Sequence, residues 1–524
     1  MSKQTVKICT KFLFIVSLVV CLSLAEQTSR PCLPRWLDKD SLVCVCTSAY
    51  CDTLETPEPI AKNDYVFVSS SEDGDRFNFI LGKFPRRNRY SSMPAPLDVS
   101  KTYVKIKDII NGRQFHGMGG TYTGSTAYVT SLMSTTLQRH VYKSFYSPNN
   151  GTNLSIVRVP IGSTKNKVGK QWTYNENPPN DSRLTNFSAF NREDRLRLCQ
   201  LKQLKRIAKN PSIEFMAVAS KAPEWMTRTI LNGKRNVLKR EFYQTWADYH
   251  LKYLQMMDNE CIRFSSISTG QRPDSSYNSP EYSPLAWDPY EQGKWLANNL
   301  GPTLRASNFS NITIIAYDDS RQSIPYFASS MNVGDKNAMR FVDAIGIQNE
   351  KNRYYLSTVL DLTYAAFPSK AILNTESSFP DVKLGSWNNA EALALDIIDN
   401  LQHDSLGYIV NNLILNLDGG PGITGEKQDA PILVSKDSTE FYKQPMFYVL
   451  AHFSKYITPG SVRLDTFTDK YLDILTVAYL RPDDKIVVSM YNRLNNSVAV
   501  VLTDLYQGAV ELQLKPKSIN TLIY

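Results

Sequence analysis

Few of the 524 residues fall into patterns that could do chemistry. The five histidines, His116, His140, His250, His403 and His452, are scattered, and there is no His-x-x-x-His or Cys-x-x-Cys pair, which argues against a dedicated zinc site. No Gly-x-x-x-x-Gly-Lys-Ser/Thr loop occurs, and no Gly-x-Gly-x-x-Gly loop lies in the first 400 residues, which argues against nucleotide chemistry. Neither a metal nor a cofactor is expected, and the remaining candidates are carboxylates. Glu376 closes the apolar run Ile372-Leu373-Asn374-Thr375, Glu350 follows Gln348-Asn349, and Asp274 follows Gln271-Arg272-Pro273. A carboxylate can serve as nucleophile or general acid/base when it lies within hydrogen-bond reach of the reacting atoms. An isolated glutamate is otherwise a solvated or salt-bridged group, so its position decides.

The elements that would position these groups alternate. Strand candidates are Phe115–Thr121, Leu154–Ile161, Ile213–Ala219, Ile262–Thr269, Ile312–Tyr317, Ala344–Gln348, Ala371–Thr375 and Tyr408–Asn416. Helical patterns such as Arg195–Ala208, Phe242–Met257, Glu291–Asn299 and Ala390–Leu401 lie between them. Eight strands separated by helices over roughly 300 residues predict a closed (β/α)₈ TIM barrel, with catalytic groups at the carboxyl ends of the strands. A doubly wound sheet fits less well, because its early phosphate loop is missing. The flanks Tyr65–Gly82 and Leu472–Tyr524 alternate apolar and polar residues with turn signals, as antiparallel sheets do. The expected organisation is a small segment over 26–56 joined by about 413–440, a β-sandwich from 57–103 with 457–524, and a barrel from 104–412 with 441–456. Hydrophobic residues at 42% and charged residues at 21% exclude disorder, collagen and coiled coil.

Residues 1–25 read as a secretory signal: Lys3, Lys7 and Lys11, the apolar run Phe12 to Leu24, then Ser23-Leu24-Ala25. The run is too short to span a bilayer, where about 20 apolar residues are needed, and no such stretch follows. Losing the three lysines takes the formal charge from +9 to +6, a mild balance that reads as a solvated basic face or an attraction to an anionic membrane surface. No nucleic-acid partner is expected. Cys32, Cys44, Cys46 and Cys51 cluster as two disulfides would in an oxidising compartment, with three pairings open. Cys199 and Cys261 are expected to be free and buried. Asn-x-Ser/Thr acceptors for glycans occur at Asn150, Asn153, Asn180, Asn186, Asn308, Asn311 and Asn495.

Several motifs resemble the lysosomal glucosylceramidases, the acid β-glucosidases of glycoside hydrolase family 30. They are Arg30-Pro31-Cys32, Val43-Cys44-Val45-Cys46, Tyr50-Cys51-Asp52, and above all Phe441-Tyr442-Lys443-Gln444-Pro445-Met446-Phe447-Tyr448 with His452-Phe453-Ser454-Lys455. Ile156-Val157-Arg158-Val159-Pro160, Tyr243-Gln244-Thr245-Trp246-Ala247, Leu384-Gly385-Ser386-Trp387 and Gly419-Gly420-Pro421 add to the likeness, which runs from about residue 30 to the end. The resemblance implies a TIM barrel with an attached β-sandwich and an amino-terminal cystine segment, with pairs Cys32–Cys44 and Cys46–Cys51. It implies retaining hydrolysis of glucosylceramide at a membrane surface in sphingolipid catabolism, with a saposin-type activator. The implied location is the lysosomal lumen, with secretion as the alternative. Such hydrolysis uses two carboxyls about 5 Å apart.

By the same resemblance Glu376 stands at the nucleophile position. Its partner is missing: where the family ends its fourth strand in Asn-Glu-Pro, this chain has Gln271-Arg272-Pro273, so Arg272 replaces the acid/base. Arginine cannot exchange a proton at working pH, and Arg272 is expected to pair with Glu376 instead. Other sugar-facing positions are substituted too, at Gly124, Ser220, Gln348-Asn349-Glu350, Val410-Asn411 and Gly422. Asp274 reads as a loop charge, and Glu350 sits on the wrong strand to replace the acid. The scaffold persists while the pocket is rewritten. The expectation is a glucosylceramidase-type β-glucosidase of impaired activity, or a catalytically dead paralogue kept as a sugar- or lipid-binding or partner protein.

Overall fold

Runs such as Ile156–Ile161 and Ala344–Gln348 are apolar apart from Arg158 and Gln348, with no alternation, and every residue in them is buried. A strand of that kind needs cover on both faces, which a parallel sheet wrapped by helices provides. The computed structural model describes residues 30–38, 41–55, 57–58, 61–85, 98–163, 171–230, 235–274, 284–422, 425 and 427–524. The expected leader lies outside the described residues. Eight strands close into a parallel barrel in chain order. They are β1 Gly117–Thr121, β2 Ile156–Ile161, β3 Glu214–Ala219, β4 Ser266–Ser268, β5 Thr313–Ser320, β6 Ala344–Gln348, β7 Ala371–Ser377 and β8 Ser405–Val410. The lower interior is filled by Ile156, Met216, Ile315, Leu373, Leu406 and Ile409.

Two boundaries differ from expectation. The run Tyr408–Asn416 does not continue as one barrel strand: the chain leaves at Val410, and Ile414–Asn416 pairs with Ile432–Val434 in a different sheet. That sheet has five strands, Pro34–Asp38, Ser41–Thr47, Glu440–Lys443, Ile432–Val434 and Ile414–Asn416. Cystines Cys32–Cys44 and Cys46–Cys51 staple its amino-terminal part. A buried ion pair, Lys443 Nζ to Asp52 Oδ1 at 2.9 Å, ties the strand Glu440–Lys443 to the segment after Cys51, and Tyr448 of the helix that follows donates to the other oxygen of Asp52 at 2.7 Å. The second difference concerns residue 104, which falls inside the strand Thr102–Gln114. That strand pairs with Val462–Thr468 in the outer sheet, not in the barrel.

The outer sheet has nine strands drawn from both ends of the chain, and Ser518–Ile523 pairs antiparallel with Asp64–Ser71. Alternation buries Phe67, Val488, Val500, Leu502, Leu512 and Leu522 in its core. Two helices bear on the site: α1, Gly124–Leu132, and α2, Asn388–Gln402. Cys199 and Cys261 are free but exposed, contrary to expectation. Cys199 lies on the solvent side of the helix Arg192–Ala208, and Cys261 lies in the turn after Asn259 with φ of +64°. Of the sequon asparagines, Asn180, Asn186, Asn308, Asn311 and Asn495 are exposed, and Asn150 and Asn153 are half-buried.

Candidate active site at the carboxyl end of the barrel

Side chains two apart on a strand share a face. Ile156 belongs to the apolar layer in the barrel, so Arg158 projects into the same interior one layer higher. There its guanidinium donates to Glu376 Oε2 at 2.6 Å and to Asp318 Oδ2 at 3.0 Å. All three side chains are at most 3% exposed. Asp318 reaches this layer because β5 is bulged between Tyr317 and Asp319, where Tyr317 and Asp318 both take positive φ. Burial alone would raise the carboxyl of Asp318. Arg158, with donors Gln348, Ser268 and Thr375, outweighs it and holds that group below its usual range. The same two carboxylates outweigh the desolvation of Arg158 and keep it firmly protonated.

Glu376 is held on both oxygens. Gln271 Nε2 donates to Oε2 at 2.6 Å and Asn411 Nδ2 to Oε1 at 3.2 Å, while Ser220 Oγ orients Gln271 by donating to its Oε1 at 2.7 Å. The positions expected to be rewritten at Ser220, Gln271 and Asn411 therefore converge on Glu376. Gln348 lies one partner away, bonded to Asp318 and to Arg272. Gly124 opens α1 at the same end of the barrel, and Gly422 is exposed in the loop after Pro421. Neither has a side chain to add to the network.

Arg272 does not pair with Glu376. Its Nη1 lies 3.0 Å from Glu350 Oε2 and its Nε donates to Gln348 Oε1 at 3.1 Å, while its backbone, at φ of +55°, donates to the carbonyl of Asp318. The expected pairing fails because Arg158 already occupies Glu376 from below. Left-handed backbone at Arg272 turns its side chain toward the loop after β6 instead. Glu350 is thereby tied up in an ion pair, and Asp274 donates its backbone amide to Asp319 Oδ2 at 2.9 Å.

Arg158 and Asp318 carry no role in the sequence reading, although both lie in plain motifs. An arginine inside Ile-Val-Arg-Val-Pro-Ile must find a buried anion, since an unpaired internal charge is prohibitive. That signal was available. Its partner could not be read, because the bulge that turns Asp318 inward is not visible in the pattern.

The mouth opens into a cleft of about 920 Å³ lined by Arg272, Gln348, Glu350, Glu376, Phe379 and residues of α2. On α2, Asp396 accepts from Tyr408, Asn352 and Ser377. Burial lifts this carboxyl above its ordinary range against those hydrogen bonds. The arrangement offers one carboxylate facing the cleft, flanked by amides and an arginine, with Asp318 held across the same guanidinium.

Comparison with known proteins agrees with this architecture. The glycosyl hydrolase family 30 TIM-barrel domain matches residues 115–457, and the family 30 beta sandwich domain matches residues 460–522. The lysosomal acid glucosylceramidase of Mus musculus is 29% identical over 514 residues, covering 95% of this chain and 96% of its own. An endo-1,6-beta-D-glucanase of Trichoderma harzianum is 23% identical, covering 76% and 82%. Among solved structures, SrfJ from Salmonella typhimurium superimposes with a TM-score of 0.78 at 20% identity, covering 88% of this chain and 99% of that one.

Proposed function

The chain belongs to glycosyl hydrolase family 30, and on that premise we propose that it is a glucosylceramidase-type protein whose retaining β-glucosidase chemistry is lost or strongly reduced. In this reading it binds β-glucosides of the glycolipid class in the lysosomal lumen or after secretion, as a binding or partner protein. A saposin-type activator belongs to the same reading. No helix among the described residues is long and apolar enough to cross a membrane, so contact with lipid would be peripheral.

The observation that carries the proposal is the end of β4, where Arg272 stands in an ion pair with Glu350. Retaining hydrolysis needs a nucleophile and, about 5 Å from it, a group that protonates the leaving oxygen. Glu376 takes the first role here. No guanidinium can take the second, and general acid catalysis is worth about 10²–10⁴-fold. An alcohol leaving group such as ceramide needs that proton most. Glu376 is also a restrained nucleophile, with the bonds from Arg158, Gln271 and Asn411 spread over both oxygens. Where sugar faces would stack on aromatic rings, Ser220 and Asn411 present polar groups, so affinity for glucose itself is expected to be weak.

The test is an assay of the purified, glycosylated protein between about pH 4.5 and 7 with glucosylceramide and with a fluorogenic β-glucoside. We expect no turnover of glucosylceramide above background. A rate comparable to that of active family members would overturn the proposal.

A further inference from the structure

A second cavity lies in the outer sheet, away from the barrel mouth. The strands Ile474–Leu480 and Ile486–Asn492 form an antiparallel hairpin, with Leu475 opposite Tyr491 and Leu480 opposite Ile486. Leu475 lines the cleft at the mouth, whereas Leu480 and Ile486 line a cavity of about 770 Å³ at the other end. A rise of about 3.3 Å per residue from Leu475 to Leu480 sets the two sites roughly 17 Å apart along the hairpin.

The floor of this cavity is aliphatic. Ile106 and Leu464 are 3% and 6% exposed in the core of the outer sheet, and Leu480, Ile486 and Tyr524 are half-buried against that core. The strand Thr102–Gln114 is bulged here, because Ile106 and Ile109 stand opposite Thr466 and Leu464, three steps against two. The extra residue leaves Lys107, Asp108 and Ile109 exposed beside the buried Ile106. Across the cavity, Leu505 and Tyr506 stand out from the sheet, 57% and 79% exposed. Their turn is nonetheless anchored: the amides of Tyr506 and Gln507 both donate to Asp504 Oδ1 at 2.7 Å, and Tyr524 donates its hydroxyl to Oδ2 at 3.2 Å. Apolar side chains held in water by an ordered turn, beside an aliphatic floor, make a surface suited to being covered.

The rim carries charges of both signs. Lys107 is paired with Asp465 at 3.0 Å and Lys485 with Glu58 at 2.8 Å, and Asp504 is satisfied by the turn and Tyr524. Lys105, Asp108 and Asp484 also line the cavity, and their side chains have no partner among the described residues. A ligand head of one sign would meet a like charge at this rim. A head that carries both signs matches the ammonium of Lys105 and the carboxylates of Asp108 and Asp484 together. The volume of about 770 Å³ lies within the ~300–1,000 Å³ typical of ligand sites.

We infer that this cavity of the outer sheet binds an amphiphile with a zwitterionic head. Its hydrocarbon part lies over Ile106, Leu464, Leu480 and Ile486, and its head lies at the rim formed by Lys105, Asp108 and Asp484. The site is separate from Glu376 and stands whether or not the barrel turns over a glycoside.

The test is calorimetric titration of the full-length protein with decylphosphocholine below its micelle concentration, beside phosphocholine, decyl sulfate and decyltrimethylammonium. Decylphosphocholine should bind at least about tenfold more tightly than phosphocholine, since each fully buried methylene is worth about fourfold. It should bind about threefold more tightly than either singly charged amphiphile, a small factor because exposed ion pairs contribute little. Ala61→Trp, which fills the cavity from its rim, and Leu505→Asn, which makes its outer wall polar, should each weaken decylphosphocholine binding about tenfold. Both positions are exposed, so the unfolding midpoints should match that of the parent protein. Leu475→Gln, at the mouth end of the hairpin, should leave the binding unchanged, which separates this site from the cleft. Absence of binding, no gain from the chain, a preference for a singly charged head, binding that survives either cavity variant, or binding lost in Leu475→Gln would overturn the inference.

Discussion

Arg158 and Arg272 both pair with a glutamate at the barrel mouth, at 2.6 and 3.0 Å, yet their surroundings differ sharply. Arg158 and Glu376 are 1% and 3% exposed, with Asp318 completing the buried group at 0%. Arg272 is 15% exposed and Glu350 44%. Removing one member of a buried pair strands a charge that water cannot reach, whereas an exposed pair is replaced by hydration. Arg158 is thus part of what holds the barrel's carboxyl end together. Arg272 lies in a pair that is partly open to water, so a change there is expected to cost the fold less. On the proposed reading, this contrast is what would let the pocket be rewritten while the scaffold persisted.

The comparison breaks most plainly at Arg158. Arg158→Met leaves Glu376 and Asp318 buried without their cation and should cost about 3–5 kcal/mol of stability, read by denaturant unfolding. A loss below about 1 kcal/mol would mean that the triad is solvated and the contrast false.

Next in size is the recovery of chemistry. Arg272→Glu alone should not restore robust glucosylceramide hydrolysis. A misplacement of about 1 Å can cost about 10²-fold, and the sugar-orienting groups would still be missing at Gly124, Ser220, Gln271 and Asn411. A variant that also carries Gly124→Asp, Ser220→Trp, Gln271→Asn and Asn411→Trp should turn over about 10²-fold faster than the single variant. Equal rates would show that loss of the acid alone explains any inactivity.

A smaller effect should follow pH. The carboxyl of Asp318 is depressed in the folded state, so its contribution is complete above its unfolded pKa of about 3.9 and is lost as pH falls through the lower folded value. Asp318→Asn should therefore destabilise by about 1–3 kcal/mol at pH 5 to 7, with the difference shrinking only below about pH 4. Unfolding curves at pH 3 and pH 6 check this, and a difference that grew on acidification would reverse the sign assigned to Asp318.

The smallest effect is expected at Arg272→Gln, about 1 kcal/mol for loss of the partly exposed pair with Glu350. Its thermal midpoint should lie close to that of the parent protein. A large drop would mean that Arg272 supports the fold as Arg158 does.

The sequence alone determined the barrel, the outer sheet built from both ends, and the place of Glu376. Each of these rests on periodicity or on motifs contiguous in the chain. Aliphatic runs such as Ala344–Gln348 can only be interior strands, and alternating flanks can only be half-buried ones. The proposed replacement at Arg272 rests on Pro273 holding the register of the motif. The partners of these residues were not legible. Arg158 and Glu376 lie 218 positions apart, and Asp318 reaches them only through a bulge of two left-handed residues. The cavity over Ile106 likewise depends on strands from distant parts of the chain that meet only in the folded sheet. Hydrophobic pattern fixes which face of an element is buried. Which charge meets which inside the molecule depends on strand register, backbone turns and competition for the same buried acceptor, and that competition gave Glu376 to Arg158 and left Arg272 to Glu350.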